Sequence, residues 1–470
     1  MNWEVRTMRS VTSCFNATLY KKDLSRFWPL WALYTVIWLF MFPLNLFSQS
    51  LRYSFDPVNW AGREPITMVA QGGGLVIAVG YGLICAAAVW SYLYNNRSAN
   101  LMHALPVRRE GHFLTHTLAG ITFFVLPHLI IFVLTLVAEL FCGAVNVGVL
   151  ATALAAQTLM CLFFFCFATL CAMLTGHILG LPAFYAIFNL IVLVMANLVE
   201  WLCNFFLYGY TGGLADSPFV RIFTPAWLIG ENVHRRIVYE IDHATGQPLV
   251  DPLTNEKVRA DYYAMDGMGL LAILAIVGVV MLGIALLLYR KRHMETAGDT
   301  VAVPFLRPVF LYCVGICGSL AGGCLMYLMF DLESLIFLVI ALMIWGVIFY
   351  FAGMMLLHKS FRVFKAGWWG CGVTLCVVLA LCGCLQIDLF GAETRVPDAD
   401  RVESVTFSGL NTVPYDRGDY TRGNNVEDPE TIAKVIAVHQ AIVDDRKYLQ
   451  SWQEEHADRG HNLTPDQLSL

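Results

Sequence analysis

The sequence predicts an all-α polytopic membrane protein, with about nine transmembrane helices and a small α+β C-terminal domain. Three observations carry that expectation. Of 470 residues, 58% are hydrophobic and 14% charged, where soluble domains are roughly half apolar and about a quarter charged. Nine apolar runs lie near or above the ~20 residues that a bilayer requires. Basic residues gather in alternate connections between these runs, as they do in multi-pass chains. The formal net charge of -5 is small and suggests no nucleic-acid partner.

The chain starts with a polar segment of mixed charge, residues 1–25. It lacks a short apolar core followed by a small-residue cleavage site, so no cleaved signal peptide is expected. The segment reads as an interfacial helix. Phe15, Leu19, Phe27 and Trp28 would face lipid, while Lys21, Lys22 and Arg26 face headgroups. The alternative is a frayed tail ahead of the first span.

The apolar runs are 28–47, 72–94, 115–142, 149–174, 178–207, 267–289, 308–330, 335–357 and 368–385. Seven of the nine hold no Asp, Glu, Lys or Arg, and the other two hold one acid each, Glu139 and Glu200. With the N-terminus placed inside, the inner connections carry Arg97, Arg108 and Arg109, then Arg290, Lys291, Arg292 and Arg307, then Lys359, Arg362 and Lys365. The short outer loops carry only Arg52 and Arg63. An odd number of spans then sets the C-terminal tail outside.

The connection 95–116 organises the rest. It is basic, and Leu101 and Leu105 form an apolar pair at helical spacing, with Pro106 ending that turn. A basic loop with an apolar stripe can dock on a cytoplasmic partner and take up mechanical work from it. The turn 175–182 between the fourth and fifth spans is very short. Gly176 and Gly180 are spaced for close helix approach and Pro182 can break a helix. It reads either as a second docking point or as a plain hairpin.

Residues 208–266 form the longest loop of the membrane region. Its apolar part, 219–229, is too short to span and suits a re-entrant or interfacial helix, while 242–256 reads as surface turns. In the seventh span Gly318 and Gly322 make a small-residue packing signal. The tail from about Asp388 predicts a strand over 402–408 and a helix opened by Asp428 and Pro429. On that helix Ile432, Val435, Ile436, His439, Ile442 and Val443 share one face.

Little catalytic chemistry is visible. No G-x-x-x-x-G-K-[ST] phosphate loop, H-E-x-x-H or G-x-S-x-G occurs. His456 and His461 do not have zinc-protease spacing. Of 14 cysteines, 13 sit within or beside apolar runs and read as small buried hydrophobes. Glu139 and Glu200 are candidates for lining a substrate path, because an acid inside a span is costly. Both lie near span ends, where hydration is cheap. His116, His128 and His177 read as structural or interfacial. So few ionisable groups in mid-membrane leave ion-driven transport without its usual coupling residues, and a separate ATPase is the simplest source of work.

Three stretches resemble the ABC-2 type of ABC transporter permease, the type V exporter architecture, in its bacterial multidrug-export form. L-M-H-A-L-P-V-R-R-E within 98–113 resembles the coupling loop after the second span. Residues 290–310, R-K-R-H-M-E-T-A-G-D-T-V-A-V-P-F-L-R-P-V-F, are similar to the inner loop after the sixth. R-V-P-D-A-D-R-V-E-S-V, 395–405, is like the start of the C-terminal extension of some such permeases. The resemblance implies a six-span core over 1–300, with three additional spans (301–387) and an extracytoplasmic soluble domain (388–470) beyond it. It implies a plasma-membrane protein that pairs with a cytoplasmic ABC ATPase subunit and with a second permease subunit, identical or not. ATP and Mg would sit on the ATPase, with no cofactor on this chain. Coupling contacts would fall on Leu101, His103, Leu105, Pro106, Arg108, Arg109 and Glu110. Two other classes stay open: a membrane-embedded sensor whose external tail binds a ligand, and a polytopic enzyme acting on lipids.

Overall fold

In the computed structural model the described residues are 15–207, 210, 212–241, 247–250, 257–292, 298–330, 334–364, 367–389, 391, 393–407, 424–445 and 448. Among them, nine helical stretches are long and apolar enough to cross a membrane. The protein is therefore an all-α polytopic membrane protein with a small α+β region. The chain divides into two compact units, Met1–Leu193 with Pro218–Val309, and Val194–Ser217 with Phe310–Leu470.

The first unit opens with α1 (Ala17–Arg26), capped by the Asn16 side chain, which accepts from the Leu19 N–H. Its buried residues are Leu19 and Asp23, four apart on one face. Leu19 thus faces protein, not lipid as the sequence suggested, and Phe27 sets its ring 6.0 Å from that of Phe123. Phe15 and Trp28 are exposed as expected. The first span is broken at Phe42 into α2 (Trp28–Met41) and α3 (Pro43–Ser50), because Pro43 has no N–H to continue the ladder.

Next comes α4 (Pro57–Ala70), a helix that the apolar pattern does not announce. Asp56 caps it through the N–H groups of Val58 and Asn59. The following spans are α5 (Gly74–Trp90), continued by a short 3-10 turn at Ser91–Tyr94, α7 (Arg109–Cys142) and α8 (Val147–Leu174). Between the turn and α7 lies α6 (Asn96–His103). The fifth span, α9 (Gly180–Phe206), begins in this unit, and α12 (Met268–Lys291) is the sixth.

At the centre of this unit is α8. In its span 67% of the most apolar window is buried, against 28% for α2–α3 and α12. Gly82 is what lets α5 approach it: a Cβ there would come 2.8 Å from the Phe165 nitrogen and 2.9 Å from the Phe164 carbonyl carbon. Several polar groups in this core find partners, as hydrocarbon favours. Tyr81 Oη donates to the Phe123 carbonyl at 2.9 Å and Gln157 Nε2 to that of Gly74 at 3.1 Å. Tyr34 Oη contacts His128 Nε2 at 2.9 Å, and Thr158 Oγ1 lies 2.7 Å from His128 Nδ1. His128 is thus a bonded node between α2, α7 and α8.

Between α9 and α12 the apolar stretch 219–229 forms two short helices, α10 (Pro218–Ile222) and α11 (Pro225–Asn232). Val220 and Ile229 are buried, whereas Phe219, Ile222, Phe223 and Trp227 are exposed. The loop that follows is not only turns. An antiparallel hairpin forms from β1 (Arg235–Tyr239) and β2 (Arg259–Met265), and the bridges Ile241–Pro248 and Val250–Lys257 extend it. It packs on α4 at Gly62, where any Cβ would overlap the Asp261 carbonyl. Residues 242–246 and 251–256 lie outside the described residues.

The second unit contains the last part of α9, from Val194, with α13 (Leu306–Met329), α14 (Leu335–His358) and α15 (Trp368–Gln386); the first residues of α13 belong to the first unit. Its core joins Leu198, Leu202, Leu320, Leu338, Leu342 and Val378. Gly318 and Gly322 serve packing, since added Cβ atoms would run into Phe349 and Trp345 of α14. In the tail, β3 (Val405–Phe407) pairs antiparallel with β4 (Asn424–Val426). The helix α16 (Pro429–Asp444) is capped by Asp428. Ile432 on α16 is buried, Val435, Ile436, Ile442 and Val443 are half-buried, and His439 is exposed. His456 and His461 lie outside the described residues. The thirteen described cysteines are free thiols.

Candidate functional site

The connection 95–108 folds as a helix on a short stalk. Asn95 caps α6 by accepting from the Arg97 N–H at 3.0 Å. Leu101 is 71% exposed and Leu105 42% exposed, so the apolar pair is offered outward rather than used in the fold. His103 is the last residue of α6. Pro106 sits exposed in the turn that follows, where the Val107 N–H donates to the Leu105 carbonyl at 2.7 Å. Arg108 is the extended N-cap of α7, and Arg109 and Glu110 are in its first turn.

From there a set of bonds ties α7 to its neighbours. Arg109 Nη1 donates to the carbonyls of Arg290 (2.9 Å) and Arg292 (3.3 Å), at the end of α12. Arg290 Nε lies 3.1 Å from Glu110 Oε1. A cation on the last carbonyls of a helix satisfies orphan acceptors and complements the dipole. Arg292 repeats the device one helix further on, with Nη1 3.0 Å from the Ala172 carbonyl and 3.4 Å from that of Met173 on α8. Burial lowers the pKa of this guanidinium from its ordinary value.

The short turn after α8 is clasped by the connection that follows α12. Gly176 donates to the Asp299 carbonyl (2.9 Å), Gly298 to that of Gly176 (2.7 Å) and Ala302 to that of Leu174 (2.8 Å). Thr175 Oγ1 donates to the Thr300 carbonyl at 2.9 Å. Gly180 gives room not to another helix but to the Thr175 side chain.

Behind α6 a buried pair fastens α1. His116 Nδ1 lies 2.6 Å from Asp23 Oδ2, with side-chain exposures of 1% and 6%. The Asn16 N–H donates to Thr115 Oγ1 at 3.1 Å. Rings surround His116, with Tyr92 at 4.9 Å and Trp90 at 5.8 Å between centroids. Tyr92 Oη meets Tyr289 Oη of α12 at 3.0 Å. The result is a polar collar joining α1, α5, α7, α8 and α12 at the end of the bundle that carries α6. Among the described residues no group of three or more His, Cys, Asp or Glu could hold a metal.

The collar shows what the sequence concealed. Asp23, Tyr92 and Tyr289 belong to no motif or periodic pattern in the sequence. The one available signal is an acid, Asp23, four residues from Leu19 on the apolar side of the helix.

The two intramembrane acids lie elsewhere, each bound to backbone at a span end. Glu139 is buried at the far end of α7, and its Oε2 accepts from the Asn146 N–H at 3.2 Å. Its Oε1 is enclosed and has no hydrogen-bond partner. Glu200, in the second unit, accepts from Gly213 (3.2 Å) and Ala215 (3.1 Å) and so holds the loop after α9.

No protein-family model, curated protein or solved structure matches the chain.

Proposed function

We propose that this chain is the permease subunit of an ATP-driven exporter, and that a separate cytoplasmic ABC ATPase moves it through α6. The supporting observation is a helix with two exposed leucines, joined by a short turn to Arg109, which is bonded to the end of α12. Burying a leucine is worth about 1.5–3 kcal/mol, so Leu101 and Leu105 together give a partner a firm hold. A push on α6 reaches Arg109 within six residues of His103, and from Arg109 the bonds lead to α12 and α8.

The geometry of α7 suits this work. At 34 residues and ~1.5 Å per residue it is about 50 Å long, well beyond the ~30 Å hydrocarbon core. Its surplus length lies partly at the α6 end, where Arg109 and Glu110 are. Pro127 interrupts its hydrogen-bond ladder near the middle. A stiff helix held at one end and weakened at its centre can turn a cytoplasmic push into a tilt.

In this reading α6 and the basic ends of the spans are cytoplasmic, the membrane is the plasma membrane, and two permease subunits form the path. ATP and Mg belong to the ATPase. Glu139 and Glu200, the two acids within the apolar runs, are the candidates for lining the cargo path. Reconstitution tests the proposal. Proteoliposomes holding this chain and its co-purifying ATPase should show ATP-dependent flux, and deletion of 101–109 should abolish it while the spans still insert. Undiminished flux after the deletion would overturn the reading.

A further inference from the structure

At the other end of the first unit, past the end of α3 at Ser50, lies a polar cavity of about 360 Å³. Its walls come from the 51–56 connection, α4 and the hairpin. Three arginines line it: Arg52, Arg63 and Arg235. They come from sequence positions that share no motif, and the fold of α4 against the hairpin brings them together.

Among the described residues their charges are not held in ion pairs. The Arg63 and Arg235 guanidiniums lie 5.4 and 5.2 Å from the centre of one ring, Tyr263. That ring keeps them side by side through cation–π contact and offers no negative charge. Arg63 Nη2 donates to the Ala260 carbonyl at 2.9 Å, while its Nε is enclosed and has no partner. Arg235 Nη1 reaches Thr67 Oγ1 only at 3.5 Å. None of the three is within ion-pair distance of a described carboxylate. Two acids share the lining, Asp56 and Glu64, but Asp56 is turned to the N–H groups that it caps. By contrast Arg236, the next residue along β1, is paired with Asp266 at 3.1 Å.

We propose that this cavity binds a phosphate-bearing anion. Clustered guanidiniums repel one another unless an anion lies between them, and their forked donors match phosphate oxygens. An enclosed donor without a partner points to the same missing acceptor. The cavity size falls within the range of small-molecule sites. Its position just beyond a span end is the depth of lipid headgroups, and both a phospholipid headgroup and a free phosphate carry the required chemistry. This inference does not depend on how α6 is used at the opposite end.

Native mass spectrometry of the full chain in detergent, with phosphatidylglycerol or phosphatidylcholine added, reads the first source. Thermal melting in inorganic phosphate against chloride at equal ionic strength reads the second. Arg52→Gln is the primary variant, because the Arg52 side chain makes no hydrogen bond that folding would miss; Arg235→Gln is the second and Arg236→Gln the control. Phosphatidylglycerol affinity at least tenfold weaker in Arg52→Gln and Arg235→Gln, with Arg236→Gln within twofold of wild type, supports the site as a headgroup site. A phosphate-specific rise in melting temperature, lost in the same two variants while the two lipids bind alike, supports it as a free-phosphate site. If both anions act on Arg52→Gln and Arg235→Gln as they act on wild type, the proposal is overturned.

Discussion

Asp23 of α1 and His116 of α7 lie 2.6 Å apart, both nearly sealed from solvent. This contact fastens the N-terminal helix to the longest span. Removing one partner of a buried pair leaves the other uncompensated, at a cost of about 3–5 kcal/mol. Asp23→Leu and His116→Leu should therefore each lower the melting temperature in detergent and expose α1 to protease. The double substitution should recover part of the loss, since an apolar pair is tolerated where a broken polar one is not. Strictly additive losses would show that the two residues do not act as a pair.

Gly82 faces the backbone of Phe164 and Phe165 across the crossing of α5 and α8. Gly82→Val must push the helices apart, and overpacking of this kind costs about 1–3 kcal/mol or more. Gly80, two residues earlier, has nothing within 4 Å of an added Cβ, so Gly80→Ala should be neutral or slightly stabilising. Thermal melting of the two variants side by side checks the contrast.

Glu200 holds the loop after α9 by accepting from Gly213 and Ala215. Glu200→Gln keeps one acceptor oxygen and loses the other along with the charge. Hydrogen exchange at the amides of Gly213 and Ala215 should quicken by about tenfold, the equivalent of one charged hydrogen bond at its lower range. Unchanged exchange at both amides would contradict this role.

Hydrogen bonds from Thr431 hold the Asp428 carboxyl below its ordinary pKa. A carboxylate depressed by folding stabilises at any pH above its unfolded value and loses that effect as pH falls through the lower folded one. The helix α16 should therefore keep its cap at neutral pH and fray only below about pH 4. Asp428→Ala should fray it at every pH. Exchange of the Thr431 amide reports both.

The spans were legible because an apolar run of some 20 residues has few other uses. The ends were not. α7 starts at Arg109, six residues ahead of the apolar run at Thr115, since a helix projecting from the bilayer tolerates polar residues where it is wet. α4 is not legible because Arg63, Glu64 and Pro65 interrupt its apolar pattern. The hairpin is not legible because Arg235 and Arg236 stand side by side in β1, and Tyr262 and Tyr263 in β2, so strict period-two alternation fails. The Leu101 and Leu105 stripe was readable at i, i+4. The pairing of Asp23 with His116 joins residues 93 apart, and no local pattern carries that information.

The most direct test of the account is the protein composition of this chain purified in mild detergent, by mass spectrometry, from cells expressing wild type or Leu101→Asp/Leu105→Asp. Both leucines are exposed, so the variant should fold and melt as wild type does. An ABC ATPase present with wild type and depleted at least tenfold with the variant is the predicted result. An ATPase retained equally by both, or absent from wild type, would contradict the claim that α6 is where the work enters.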